Sequence, residues 1–228
     1  MHVLLETERL RLRAFSGADL DNLRELHADP EVMRYLDSGR PAPGLLVTRY
    51  AGPAQFGYWA AEERETGGFL GWFEFRPVRE DRTDEAEPGY RLRRSAWGKG
   101  YATEVSRALL DRGFAELGVA RVTATTMAVN TGSRRVLEKC GLRYVRTFHE
   151  EWPDPLPGAE HGDVEYALTA AERARPNDDG RAPPEGRPAV SPPVFQRVTS
   201  SAATSAIRPG SSSPSSRPRP PGTCAWTR

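Results

Sequence analysis

Residues 91–110, RLRRSAWGKGYATEVSRALL, read as a strand, a glycine-containing turn and a helix. No other stretch restricts the possible folds as tightly. A strand that enters a helix through Gly98 and Gly100 gathers several backbone N–H groups and the positive end of the helix dipole at one point, which suits a phosphate. The two glycines permit a close backbone approach that a Cβ would block. Lys99 stands between them and can add a positive charge. Two nucleotide-binding patterns do not fit. A P-loop requires Ser or Thr after Gly-Lys, and Gly100 follows Lys99 here. A dinucleotide fingerprint needs Gly or Ala where Thr103 stands, and its leading strand is apolar, whereas Gly89–Arg94 is charged. A pyrophosphate loop of an acyl-coenzyme A enzyme remains.

Composition sets the surroundings of this loop. Lys+Arg 32 against Asp+Glu 31 gives a net charge of +1, so nothing points to a nucleic-acid partner. Two cysteines, Cys140 and Cys224, supply neither a disulfide framework nor a metal-ligand pair, and no metal is expected. The apolar run at the N-terminus is too short for a signal peptide, and no stretch nears the roughly 18 apolar residues of a membrane span. A cytoplasmic protein with no membrane partner is the expectation. Composition shifts abruptly near Ala171. The following residues are dominated by Pro, Ser, Arg, Gly and Ala and cannot bury enough apolar surface to offset their ordering entropy. Residues 1–171 are therefore expected to form the domain and 172–228 a disordered tail, either a tether for an acidic partner or an extension without function.

Within the domain the pattern is that of a mixed α/β fold. Residues 9–13 alternate apolar and charged side chains as a half-buried first strand. Leu20, Leu23 and Leu26 mark a helix, and Asp29-Pro30 opens a second. Residues 38–53 read as a loop. Strands over 55–62 and 69–76 form a hairpin around Glu65-Thr66-Gly67-Gly68. A charged loop over 78–88 leads into a fourth strand, 89–94. A helix over 102–117 places Leu110, Phe114 and Leu117 on one stripe and stops at Gly118. A strand over 121–129, a helix over 131–140 and closing strands over 142–149 and 163–168 complete the order.

Residues 97–102 resemble the coenzyme A motif of the GNAT N-acetyltransferases, with Gly100 and Ala102 at its small positions. Trp97 stands where Gln or Arg is usual, a departure typical of one branch, the bacterial enzymes that acetylate N-terminal amines of ribosomal proteins (RimJ/RimL-type). Three further segments agree in order: ETERLRLR at 6–13, GWFEFRP at 71–77 and NTGSRRVLEKCGL at 130–142. The resemblance implies a mixed central sheet flanked by helices, with the fourth and fifth strands splayed into a cleft for acetyl-CoA, the co-substrate. It also implies that backbone groups from Leu92 to Arg94 pair with the pantetheine arm, that one N–H there polarises the thioester carbonyl, and that Lys99, Gly100, Tyr101, Ala102 and Thr103 hold the pyrophosphate, with Trp97 and Gly98 also on the cofactor. Asn130 is expected both to cap the next helix and to bind the coenzyme.

The implied reaction is direct attack of a neutral amine, on a protein N-terminus or a small molecule, on the thioester. It needs an acceptor for the amine proton and a donor for the departing thiolate. Many GNAT enzymes place a Tyr seven residues after the motif Asn as that donor. Here the position is Leu137, and Ser133 is the candidate in its stead. Glu87 is the candidate base, with Glu74, His149 and Glu150 as alternatives, although Pro88 supplies no ladder donor beside Glu87. Cys140, at a helix C-terminus, is not expected to act as a nucleophile. Loops over 37–54 and 76–88 are expected to form the acceptor cleft. The second carries Glu80, Asp81, Asp84, Glu85 and Glu87 and would attract a cationic acceptor. The competing reading is a coenzyme A-binding sensor or scaffold without turnover. Either a monomer or a homodimer is compatible with the sequence.

Overall fold

The computed structural model describes residues 2–36, 55–79, 81–150 and 154–175. The expected loop at 38–53, Glu80 and all of the expected tail beyond Arg175 lie outside the described residues. Eight strands form one sheet: β1 (Val3–Glu6), β2 (Leu10–Arg13), β3 (Gly57–Glu63), β4 (Phe69–Arg79), β5 (Arg82–Leu92), β6 (Arg121–Met127), β7 (Arg143–Phe148) and β8 (Asp163–Thr169), in the spatial order β1-β2-β3-β4-β5-β6-β8-β7. The helices are α1 (Leu20–Ala28), α2 (Pro30–Met33), α3 (Tyr101–Glu116), α4 (Thr131–Lys139) and α5 (Ala170–Arg173).

Alternation along the strands assigns the two faces. Leu10, Leu12, Ala61, Phe73, Phe75, Tyr90 and Leu92 pack with Val105, Leu109 and Leu110 of α3 and Leu137 of α4 in the larger core. Ala60, Phe69 and Trp72 point the other way and pack with Leu23 and Leu26 of α1 and Val32 of α2. The buried side of α3 carries Tyr101, Val105, Leu109, Leu110 and Gly113. Phe114 and Leu117, expected on that stripe, are only partly buried, because the ring of Phe75 lies against Gly113 and turns that edge of the helix onto the sheet.

Three features depart from the sequence reading. A strand precedes the first one expected: Val3–Glu6 pairs with β2 at the sheet edge, so the splayed pair is β5 and β6 rather than the fourth and fifth strands. Residues 78–88 are not a loop. They form the end of β4 and most of β5, paired from Gly71↔Leu92 to Arg79↔Arg82. The strand expected over 89–94 ends at Leu92, and a 3-10 turn, Arg94–Ala96, leads into the glycine loop.

Every strand pair is antiparallel except β5 and β6, which run parallel and meet at two registers, Glu85↔Arg121 and Ala86↔Val122. Beyond them β5 continues to Leu92 and β6 to Met127 unpaired with each other, which opens a V in the sheet. Pro88 stands two residues past the last pair, where the ladder on that side has ended and a missing N–H costs nothing.

A buried ion pair fixes the near half of the sheet. The Arg13 guanidinium donates Nη1 and Nη2 to the two carboxylate oxygens of Asp19, both at 2.7 Å, and Nε to Glu62 Oε1 at 2.6 Å. Asp19 also accepts from the N–H of Ser16 at 2.8 Å, so one cluster joins β2, β3 and the entry to α1. Replacing Arg13 by Ala strands the Asp19 carboxylate away from water, leaves half-buried Glu62 without this partner, and should lower unfolding free energy by about 3–5 kcal/mol, read from denaturant titration. A loss below about 1 kcal/mol would show the cluster to be dispensable.

Candidate active site

The glycine loop sits at the open end of the V. Gly98 (φ +74°) and Gly100 (φ +84°) both occupy the left-handed region, which L side chains adopt only with strain. Gly100 caps α3 without a side-chain acceptor. The first helical hydrogen bond runs from the Glu104 N–H to the Gly100 carbonyl at 3.0 Å, so the amides of Tyr101, Ala102 and Thr103 have no intrahelical acceptor. That set of donors suits a phosphate. Gly98, Lys99 and Gly100 are exposed beside them.

Arg9 and Glu63, which the sequence did not single out, hold this loop in place together with Trp97 and Tyr101. Arg9, just before β2, donates Nη1 to the Lys99 carbonyl at 2.9 Å and Nε to Glu104 at 2.7 Å, with its guanidinium carbon 4.6 Å from the Tyr101 ring centre. Its only sequence signal was membership of an alternating strand. The Tyr101 hydroxyl donates to Glu63 Oε1 at 2.6 Å, so that side chain anchors the loop to β3. Trp97 donates its indole N–H to the Leu92 carbonyl at 2.8 Å and bridges the loop to the end of β5. Arg94 pairs with Asp29 at 3.0 Å, directing its side chain to the cap of α2.

The edge of β5 follows from its pairing. The Arg93 N–H donates to the Leu70 carbonyl at 2.9 Å, on the β4 side. Alternation therefore turns the amides of Leu92 and Tyr90 and the Pro88 carbonyl toward the cleft. The Leu92 carbonyl is already taken by Trp97, leaving the Leu92 N–H and the peptide groups of Tyr90 as the edge an extended ligand can meet. From Leu92 to the vertex at Ala86 the strand spans about 20 Å at roughly 3.3 Å per residue.

At the vertex lies a group of ionisable side chains on the face shared with α1 and α2. Glu87 is next to the last β5–β6 pair and is 7% exposed; Glu74, across the hairpin, is 0% exposed. Arg76 donates Nε to Glu74 at 2.9 Å and Nη2 to Glu87 at 3.3 Å. Burial raises the Glu87 pKa to about 8, against the pull of Arg76 and with help from the Glu74 charge. A carboxyl tuned to this range can exchange a proton near neutrality.

The other sequence-selected residues divide cleanly. Asn130 is buried and caps α4, its Oδ1 accepting from the Ser133 N–H at 3.3 Å. Ser133 is buried as well and lies beside the phenol of Tyr90, whose own ionisation is suppressed by burial. Tyr90 thus brings a phenol to this cluster from β5, while Leu137 is core. Cys140 is buried and its thiol is pushed up to about 12, chiefly by desolvation, which fits an inert side chain. His149 and Glu150 follow the end of β7, beside Asp163 at the far end of the β6 arm and away from the vertex. The acidic lip is neutralised: Asp81, Asp84, Glu85 and Glu87 pair with Arg79, Arg82, Arg121 and Arg76. The expected attraction of a cation by this hairpin loses its basis, because each described acid has an arginine beside it, two residues along the chain for Asp81 and Asp84 and across the strand pair for Glu85 and Glu87.

Residues 9–143 match the family model "Acetyltransferase (GNAT) domain". The chain belongs to the GNAT acetyltransferases. It is similar to the FsC-acetyl coenzyme A-N(2)-transacetylase of Aspergillus fumigatus, 35% identical over 75% of this chain and 78% of that protein. In fold it is similar to a spermidine N-acetyltransferase from Vibrio cholerae solved in complex with CoA and spermine (TM-score 0.62, 18% identity, 73% of this chain and 98% of that one). It is also similar to a putative ribosomal-protein-serine acetyltransferase from Vibrio cholerae (TM-score 0.59, 18% identity, 74% and 99%). The mixed α/β sheet with its open V is the GNAT fold, and the chain is an acetyl-CoA-dependent N-acetyltransferase. No helix among the described residues is long and apolar enough to cross a membrane.

Two outcomes test this geometry. Gly100→Asp puts a carboxylate and a strained residue at the start of α3, and should abolish coenzyme A binding by calorimetry while circular dichroism stays unchanged. Undiminished affinity would remove the loop from the phosphate site. For Glu87 the folded pKa lies above the ordinary value of 4.5, so its ionisation opposes folding: the stability held below pH 4.5 is lost as pH rises to about 8. The melting temperature of Glu87→Gln relative to the parent should accordingly climb across that window and level off above it.

Proposed function

We propose that acetyl-CoA lies along β5, with its pyrophosphate on the amides of Gly98–Thr103 and its pantetheine arm against the peptide groups of Leu92 and Tyr90. The thioester then comes to rest toward the vertex, beside Glu87. The observation that carries this reading is the coincidence of three features on one strand: open amides at its mouth, an unpaired edge along it, and a proton-accepting carboxyl where the V closes.

In this reading the acceptor approaches from the face that bears Glu74 and Glu87. The amine nitrogen attacks the thioester carbonyl carbon, and the oxyanion that forms is stabilised by an N–H of β5. Glu87 takes the amine proton, directly or through one water. As the carbon–sulfur bond breaks, Ser133 supplies a proton to the thiolate, with the Tyr90 phenol beside it. Asn130 binds the coenzyme as well as capping α4. Leu92, Arg94, Trp97, Gly98, Lys99, Gly100, Tyr101, Ala102 and Thr103 keep their assignment to the cofactor, with Trp97, Tyr101 and Arg94 acting by holding the loop rather than by touching phosphate. Residues 1–171, extended to Arg175 by the Arg173–Asp111 contact at 2.6 Å, form the catalytic domain.

The acceptor is a primary amine. The W-G-K-G-Y-A-T-E segment supports the ribosomal-protein N-terminal branch, whereas the relative named for transfer to an N(2) position supports a small-molecule amine. Thiol release from acetyl-CoA, measured against peptides with free N-termini and against small amines, decides between them. Glu87→Gln should lower kcat/KM by about 10²–10⁴-fold with the best acceptor. In the parent enzyme kcat/KM should rise with pH through about 8, since the base must first lose its proton. Retained activity in that variant would displace Glu87 from the mechanism.

A further inference from the structure

The vertex holds one more carboxylate than the reaction uses. Glu74 is completely buried on β4, directly across from Gly89 of β5. Its Oε2 accepts from Arg76 Nε at 2.9 Å, and among the described residues its Oε1 has no hydrogen-bond partner. A Cβ on Gly89 would overlap that oxygen, so the space the carboxylate fills exists only because residue 89 has no side chain. Burial of this kind is costly, and a purely structural role would be served as well by an uncharged side chain.

We propose that Glu74 is a positioning residue that keeps Glu87 basic. It does so in two ways. It holds Arg76 by Nε, leaving Glu87 the longer 3.3 Å contact through Nη2, and it places a second negative charge beside Glu87. One guanidinium between two carboxylates balances one charge, so the site retains a proton into the neutral range and releases it to become the base. Other charged or titratable groups among the described residues also lie around this face. Tyr58 of β3 lies across from Glu74. Glu85 of β5 and Arg121 of β6 pair with each other at 3.3 Å. Arg91 of β5 stacks on Trp72, whose indole meets His27 of α1. None of them comes between Arg76 and the two glutamates in the bonds described.

The inference rests on the assignment of Glu87 as base, and the test separates the two. Glu74→Gln keeps the shape, removes the charge and leaves Arg76 to Glu87. The Glu87 carboxyl, followed by carbon-13 NMR, should then titrate about one pH unit lower or more, and the acidic limb of kcat/KM should move down with it. Glu74→Asp, which keeps the charge, should move both by less. An unchanged Glu87 titration in a folded Glu74→Gln protein overturns the inference, as does an equal shift in the Asp and Gln variants, which would point to packing instead of charge. If Glu87→Gln retains the acidic limb, Glu87 is not the base and the catalytic role given to Glu74 falls with it, whatever the NMR titration gives.

Discussion

Two residue pairs, Glu85 with Arg121 and Ala86 with Val122, form the whole ladder between β5 and β6, and the working geometry depends on where that ladder stops. A longer parallel ladder would close the sheet and leave no edge for a ligand. A shorter one would disconnect the β6-β8-β7 sheet from the rest. Pro88 marks the place chemically, since it has no N–H to continue the ladder. Glu87, between the last paired residue and this proline, is held at the inner end of the opening by the backbone itself.

At the other end of the V, the loop is rigid because charges from distant segments converge on it. Arg9, Glu63 and the Trp97 indole contact the loop or brace it against β5, Glu104 holds Arg9, and two of these, Arg9 and Glu63, come from outside the motif and the strand before it. Amides fixed in advance lose less entropy on capturing a phosphate than amides of a mobile turn. The positive φ of Gly98 and Gly100 is the local condition, and the contacts are what select that conformation.

The two clusters of an arginine with two carboxylates show how the same components give opposite results. Arg13 serves Asp19 and Glu62 through contacts of 2.6–2.7 Å, and the Ser16 N–H adds to Asp19, so both acids are well satisfied. Arg76 serves Glu74 and Glu87 through contacts of 2.9 and 3.3 Å, one oxygen of Glu74 has no partner among the described residues, and Glu87 holds its proton to about pH 8. The first arrangement stabilises and the second stores basicity. Geometry and the supply of donors separate them, not residue type.

The sequence alone determined the glycine loop, the order of most elements, the cap at Asn130 and the family, because each rests on local rules: left-handed turns need glycine, helix starts need acceptors, and side-chain periodicity reports the element. It missed β1, whose four residues alternate too little to register, and it took 78–88 for a loop, because strand acids paired with arginines look in one dimension like solvated charge. Arg9 at the loop, Tyr90 at Ser133, and Arg76 between Glu74 and Glu87 were decided only by tertiary structure. Arg9 and Lys99 are ninety residues apart, and Glu74 meets Gly89 only through strand register, so no local pattern could encode either contact. What a buried carboxyl does depends on which charges the fold brings beside it.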